Sequence, residues 1–358
     1  MRLLSPEGLF RKGVPGSMER ILVIKLYAIG DLVMSLPGMS FLGKANPSAE
    51  IHLLTGKLVA PLAELAAPVE RVFSLDDSLL SRGWKSLKMI PRALELRGNR
   101  YSTGYLLHRV LPLRMFLRLV NPVVAVGQGT ASAGLDRVVP FETGKREHDA
   151  ERYARLFGWK GETPLELPPF PVEKLRKAAG EGGMVEGMPV AICPGGGRST
   201  IRNTDAKRWP PKNFLEIARR LHSAGFPTVL LGSGGDAAFL GELRRELEGE
   251  TIDLVGETTL LQAAAVLSRC RLLVTNDSGL MHVAGLVGTP TLAVFGPTDP
   301  DRIGVFPGSA RHVSIVPRGF DCRPCHPPMA VDECPDPRCI GSVDVERVWS
   351  GLVEMLDG

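Results

Sequence analysis

No run of about 18 apolar residues occurs anywhere in this chain, so no helix long enough to span a bilayer is expected. The opening Met1-Arg2-Leu3-Leu4-Ser5-Pro6 has no apolar core of a secretory signal, which leads to the expectation of a cytoplasmic protein. Two phosphate-binding signatures are also missing. Tyr27-Ala28-Ile29-Gly30-Asp31 holds a single glycine, so it is not the dinucleotide fingerprint, and no Gly-Lys-Ser/Thr loop occurs. The hydrolase elbow Gly-x-Ser-x-Gly is absent around Ser278, because Asn276 and Leu280 occupy its glycine positions. No known nucleic-acid-binding module is present, and nucleic acid is not an expected partner.

What is there suits a soluble globular protein. The 358 residues are 44% hydrophobic and 23% charged, with 40 glycines and 29 prolines, enough for two cores and many tight loops. Short apolar runs alternate with helical patterns, which implies right-handed crossovers and parallel sheets. The runs Ile21–Leu26, Ile51–Leu54, Arg71–Leu75, Tyr101–Leu107 and Val123–Val126 read as strands of a first half. Pro189–Cys193, Thr228–Leu231, Arg271–Val274 and Thr289–Phe295 do the same in a second. Between the halves, Pro164 to Pro171 carries four prolines in eight residues and reads as the linker. The expected division is 18–163, then 172–342, with 343–358 as a last helix that could pack back across the linker. Residues 1–17 read as an extension before Met18.

The chain is organised around Val274-Thr275-Asn276-Asp277-Ser278-Gly279-Leu280-Met281-His282, where a buried strand gives way to a helix. In an open α/β sheet that is the carboxyl edge, where ligands bind. Free amides at the helix start, together with its dipole, make a seat for phosphate. An ordinary N-cap by Asp277 or Ser278 is the alternative. A second polar loop, Phe295-Gly296-Pro297-Thr298-Asp299, ends the next strand on the same edge and favours a ligand.

The run Asn276–His282, then Gly288-Thr289-Pro290 and Phe295-Gly296-Pro297-Thr298, resembles the C-terminal signature of the lipopolysaccharide heptosyltransferases, glycosyltransferase family nine. The resemblance covers most of Arg20 to Trp349. It implies the GT-B fold, an α/β arrangement of two facing Rossmann-like domains with parallel sheets. It also implies transfer of a sugar from a nucleotide diphosphate, with inversion and without a catalytic metal or other required cofactor. The donor it implies is ADP-heptose, and the acceptor is a lipopolysaccharide core or a related anionic glycolipid at the cytoplasmic face of the inner membrane. Gly30-Asp31 matches the family's N-terminal Gly-Asp, which makes Asp31 the candidate general base; an N-cap on the first helix is the alternative. Lys207-Arg208-Trp209-Pro210 matches Lys-x-Trp-Pro, so Lys207 would meet the diphosphate as a point charge. The stretch before it departs from the family's loop and offers Thr200, Asn203 and Thr204 as donors. Asp236 stands where relatives often have a Glu that holds nucleotide hydroxyls. Asp277, Ser278 and Gly279 complete the donor site, and His282, which shares the helix face of Ser278, could reach the diphosphate; a capping or core-packed histidine is the alternative.

Charge is unevenly spread. Between Ser81 and Val120 there are nine basic residues, Arg82, Lys85, Lys88, Arg92, Arg97, Arg100, Arg109, Arg114 and Arg118, against the single acid Glu95. Such a field attracts an anionic partner, and Arg109, Arg114 and Arg118 are the candidate acceptor-binding residues. Leu113, Phe116 and Leu117 would supply apolar surface beside them. Cys322, Cys325, Cys334 and Cys339 could form a structural zinc site of four thiolates; reduced thiols or a labile disulfide are the alternatives. Two other classes compete with the enzyme: a non-catalytic nucleotide-sugar or anionic-glycolipid binder on the same fold, and a basic lipid-surface adaptor. Turnover of a nucleotide sugar separates them.

Overall fold

The computed structural model describes residues 18–80, 87–129, 134–140, 147–196, 205–325, 334 and 338–357. The extension 1–17, Arg82, Lys85, Thr200, Asn203 and Thr204 lie outside the described residues. Two six-stranded sheets are present, both wholly parallel. The first contains β1 (Glu19–Lys25), β2 (Ala49–Gly56), β3 (Arg71–Leu75), β4 (Thr103–Leu106), β5 (Val124–Gln128) and β6 (Arg137–Val139), in the order β3-β2-β1-β4-β5-β6. The second contains β7 (Val190–Cys193), β8 (Thr228–Leu230), β9 (Thr251–Asp253), β10 (Leu272–Asn276), β11 (Thr291–Val294) and β12 (His312–Ile315), in the order β12-β11-β10-β7-β8-β9. Counted from its own first strand, each sheet has the same order. Each therefore has a point where the chain's direction of winding reverses, between β1 and β4 and between β7 and β10. Ligands bind at such points in open parallel sheets.

Buried strands explain the apolar runs. Along β1, Ile21 and Val23 enter one core while Leu22 and Ile24 enter the core on the opposite face. Helix α1 (Ile29–Ala45), α2 (Ala60–Ala66) and α5 (Asp149–Leu156) cover the first of these faces, and α3 (Ile90–Arg97) and α4 (Leu111–Val120) cover the other. In the second half α6 (Val172–Ala179), α9 (Leu260–Leu267) and α10 (Gly279–Val287) lie on one face, with α7 (Pro211–Ser223) and α8 (Gly241–Glu246) on the other. Helix α1 is apolar nearly all round because it has two partners. Leu32, Met34 and Met39 face its own sheet, while Val33 and Leu36 join the core built around α9 and α10.

The structure adds β6, β9 and β12 to the strands expected. The three added strands have only three or four residues each and all lie at sheet edges. The C-terminal helix Val345–Asp357 is a correction. It does not return across the linker as its main packing: Val348, Leu352, Met355 and Leu356 are buried in a core formed entirely by second-half residues. Among the described residues no helix is long and apolar enough to cross a membrane.

Candidate active site

The first half contributes an acid that is held from below. Lys25 closes β1, and the chain turns through Ala28, whose φ is 70°, into α1. Asp31 lies in the first turn of α1 with its carboxylate partly open to solvent. Lys25 is 1% exposed, yet its Nζ donates to Asp31 Oδ2 at 2.8 Å and to the Tyr27 carbonyl at 3.0 Å. The ammonium also lies 5.4 Å and 5.7 Å from the ring centroids of Tyr27 and Tyr153. Tyr153, reaching over from α5, lies over the Lys25 ammonium near Asp31, and burial pushes its phenol well up. His108, just past β4, accepts the Leu26 amide at 2.9 Å and stacks on Tyr27. Burial, with Lys25 nearby, keeps that imidazole neutral. Lys25 and Tyr153 were not singled out from sequence. The period of two was the available signal, because it sets Lys25 on the α1 face with Ile21 and Val23.

The second half contributes a cation and a helix start. Asn276, at the end of β10, binds three segments together. Its amide donates to the carbonyls of Pro194 (2.7 Å) and Gly195 (3.2 Å), and its carbonyl accepts from the Trp209 amide at 3.0 Å. This places Lys207, two residues before Trp209, over Asp277: Nζ lies 2.6 Å from Asp277 Oδ2. Thr298, from the loop after β11, donates to the same oxygen at 2.7 Å. Ser278 is the N-cap of α10 but its side chain makes no capping bond; its hydroxyl lies 3.0 Å from Thr275 Oγ1. The first amides of α10 are thus not taken by a side-chain cap. Arg323 donates to the carbonyls of Gly296 and Thr298, bracing the loop that carries Thr298.

Asp236 holds a structural clamp. Its carboxylate is buried and engaged by Arg208 at 2.7 Å, by the Ser233 hydroxyl at 2.6 Å, by the Ser233 amide at 3.0 Å and by the Gly196 amide at 3.4 Å. It fixes the loops after β7 and β8. The short Asp side chain fits this clamp, where a Glu would reach further.

Where the two halves meet, α1 and α10 pack against each other, most closely at their first turns. A methyl group on Gly30 would lie 2.5 Å from His282 Cδ2, and one on Gly279 would lie 2.9 Å from Ile29 Cβ. Only glycine allows this spacing. His282 is 5% exposed, and its Nδ1 has no hydrogen-bond partner among the described residues. Burial pushes its imidazole down to about 4, although Asp277 and Asp31 pull the other way. Asp31, beside Gly30, and Asp277, five residues before His282, thus both influence this ring at the junction of the two halves.

Two sequence expectations fare differently. Arg114 is buried, 7% exposed, with Nη2 donating to the Gln128 carbonyl at 3.2 Å, so it does not present its charge on the surface. Leu113, Phe116 and Leu117 are core residues for the same reason: this side of α4 faces the sheet. Arg118 pairs with Asp136 at 2.9 Å, and Arg109 is exposed beside His108. Of the cysteines, Cys322 is exposed, Cys325 and Cys334 are half-buried, and Cys339 is buried. Burial and neighbouring thiols push Cys325 up. Among the described residues no group of three or more His, Cys, Asp or Glu side chains is arranged to hold a metal ion.

Residues 93–328 match the family described as glycosyltransferase family 9 (heptosyltransferase). The chain belongs to glycosyltransferase family 9. Membership makes it an enzyme that transfers a sugar. It is 33% identical to lipopolysaccharide heptosyltransferase 2 of Salmonella typhimurium, over 83% of this chain and 88% of that one. The crystal structure of the E. coli ADP-heptose lipopolysaccharide heptosyltransferase II superposes with a TM-score of 0.76 at 24% identity, covering 94% of this chain and 98% of that one. An E. coli heptosyltransferase solved with ADP gives 0.69 at 18%, covering 94% and 99%. The family 9 fold, two facing α/β halves of the GT-B type, is thus the fold described above.

A pH prediction follows from the buried rings of this family 9 chain. His282 and His312 are each pushed down from 6.5 to about 4 by burial. Both are neutral in the folded protein, whereas the unfolded chain takes up protons below 6.5. Stability is therefore complete above pH 6.5 and falls as pH drops towards 4, by up to about 3 kcal/mol for each ring. Denaturant titrations across this range should show the fall, and His282→Gln should flatten part of it. A slope unchanged in that variant would remove His282 from the account.

Proposed function

We propose that this enzyme moves heptose from ADP-heptose to a sugar hydroxyl of a lipopolysaccharide core or a related glycolipid, with inversion at the anomeric carbon. The arrangement that carries the reading is a held carboxylate in the first half and, beyond the close approach of Gly30 to His282, a lysine with uncapped helix amides in the second. The donor's diphosphate would sit at the start of α10, where the amides of Ser278 and Gly279 and the dipole favour an anion. Lys207 would meet the same group. The acceptor would enter from the first half. As its oxygen bonds to the anomeric carbon, its proton passes to Asp31. The bond from that carbon to the diphosphate oxygen breaks, and the electron pair leaves with ADP. Charge then builds on the leaving diphosphate while the sugar becomes oxocarbenium-like, so fixed donors on the diphosphate lower the barrier.

ADP as the nucleotide is supported by the relative solved with ADP, and heptose by the names of the relatives. A thermal-shift series with ADP-heptose, UDP-glucose and GDP-mannose tests the donor. The midpoint should rise most with ADP-heptose. A larger rise with either of the others would overturn the choice of donor. Release of ADP only when a heptose-deficient core acceptor is present tests the reaction itself.

A further inference from the structure

Helix α4 is anchored to the first sheet by Leu113, Phe116, Leu117 and Val120. Its opposite face should be polar if it met only water. Instead Leu111, Met115 and Leu119 are 58%, 62% and 40% exposed. They are spaced four apart and form one stripe along the helix. Leu94 of α3, in the same layer, is 53% exposed, and Leu87 just before it 52%. Apolar side chains gathered like this on one outer surface mark an interaction site.

The surroundings of the stripe are basic. Lys88, Arg97, Arg100 and Arg109 are exposed around α3 and α4. Arg92 and Arg118 add two more cations, paired with Glu95 and Asp136. We propose that the outer face of α3 and α4 docks onto the surface of an anionic phospholipid bilayer. A bilayer offers both parts of the match: apolar chains for Leu111, Met115 and Leu119, and negative headgroups for the cations. A second copy of this chain is a poorer occupant, because a two-fold contact would set one basic rim against another. Arg114, whose charge is turned inward, takes no part.

The stripe begins two residues after Arg109, and the neighbouring His108 lies against Tyr27 at a centroid distance of 4.3 Å, in the loop that leads to Asp31. The docking does not rest on the proposed glycolipid acceptor.

The test uses the full chain without donor, sedimented with vesicles of phosphatidylcholine alone or mixed with phosphatidylglycerol. Native protein should bind the mixed vesicles at least about tenfold more tightly, and added salt should weaken that binding. Two variants should each lose about tenfold in partitioning: Leu111→Ser with Met115→Ser and Leu119→Ser, and separately Lys88→Glu with Arg97→Glu. Both should keep the native thermal midpoint and ADP affinity, since the changed side chains are on the surface. Vesicle binding equal to native in the folded variants would overturn the proposal, as would equal binding of native protein to both vesicle types. A native dimer that the apolar variant converts to monomer, with vesicle binding unchanged, would assign the stripe to self-association instead. Failure of glycosyl transfer by native protein would sink the functional reading and leave the vesicle result standing.

Discussion

Asp31→Asn should lower turnover by about 10²–10⁴-fold, the usual contribution of a positioned general base, while affinity for ADP survives. Asparagine keeps the shape of aspartate but cannot take the acceptor's proton. The geometry adds a second consequence. Lys25 is almost wholly buried, and Asp31 is the carboxylate its ammonium reaches at 2.8 Å. Removing that charge leaves the ammonium with the Tyr27 carbonyl and two aromatic rings, so the variant should also lose stability. Loss of activity and unfolding then have to be told apart. Adding Lys25→Met to Asp31→Asn separates the two, since it removes the stranded charge. The double variant should regain stability and remain inactive. Near-native turnover in a folded Asp31→Asn protein would refute the assignment of the base.

This pair also shows where sequence reading works and where it stops. Asp277 lies just past the end of β10, Asp31 in the first turn after β1 and Lys207 in the connection before α7, where polar residues break an apolar pattern and stand out. The parallel sheets were legible because β1 and β10 are buried on both faces and leave continuous apolar runs. Lys25 was hidden by the same logic, since a lysine at the end of an apolar run is taken up into the strand and carries no signal of its own. Only α5, more than a hundred residues away in sequence, turns that end into a buried pocket by placing Tyr153 over it. Asp236 was legible as a loop acid but not as a clamp, because its partner Arg208 follows Lys207 and was read as part of the diphosphate motif. On α4 the periodicity was right and the side that faces the sheet was not. Arg114 and Leu119 both fit either orientation until β5 offers the Gln128 carbonyl to one of them. The two halves share one strand order without recognisable sequence repetition, since strand order follows from apolar spacing rather than from residue identity.

Lys207→Ala should weaken ADP binding by about 1.5–3 kcal/mol, the range for a hydrogen bond to a charged group, or roughly 10- to 100-fold in the dissociation constant. The effect has two sources, and the geometry separates them. Without ligand, Lys207 is already engaged: its Nζ lies 2.6 Å from the buried Asp277 carboxylate. Diphosphate binding therefore adds an anion to an existing ion pair, and the lysine stands between two negative groups. Deleting it removes an attraction to the diphosphate and also leaves Asp277 unscreened beside it, with the Thr298 hydroxyl at 2.7 Å. If the second source matters, Asp277→Asn in the Lys207→Ala background should recover part of the lost affinity. If only direct contact matters, the double variant should bind as weakly as Lys207→Ala alone. Calorimetric titration with ADP distinguishes these results, and affinity equal to native in a folded Lys207→Ala protein would take the lysine out of the donor site.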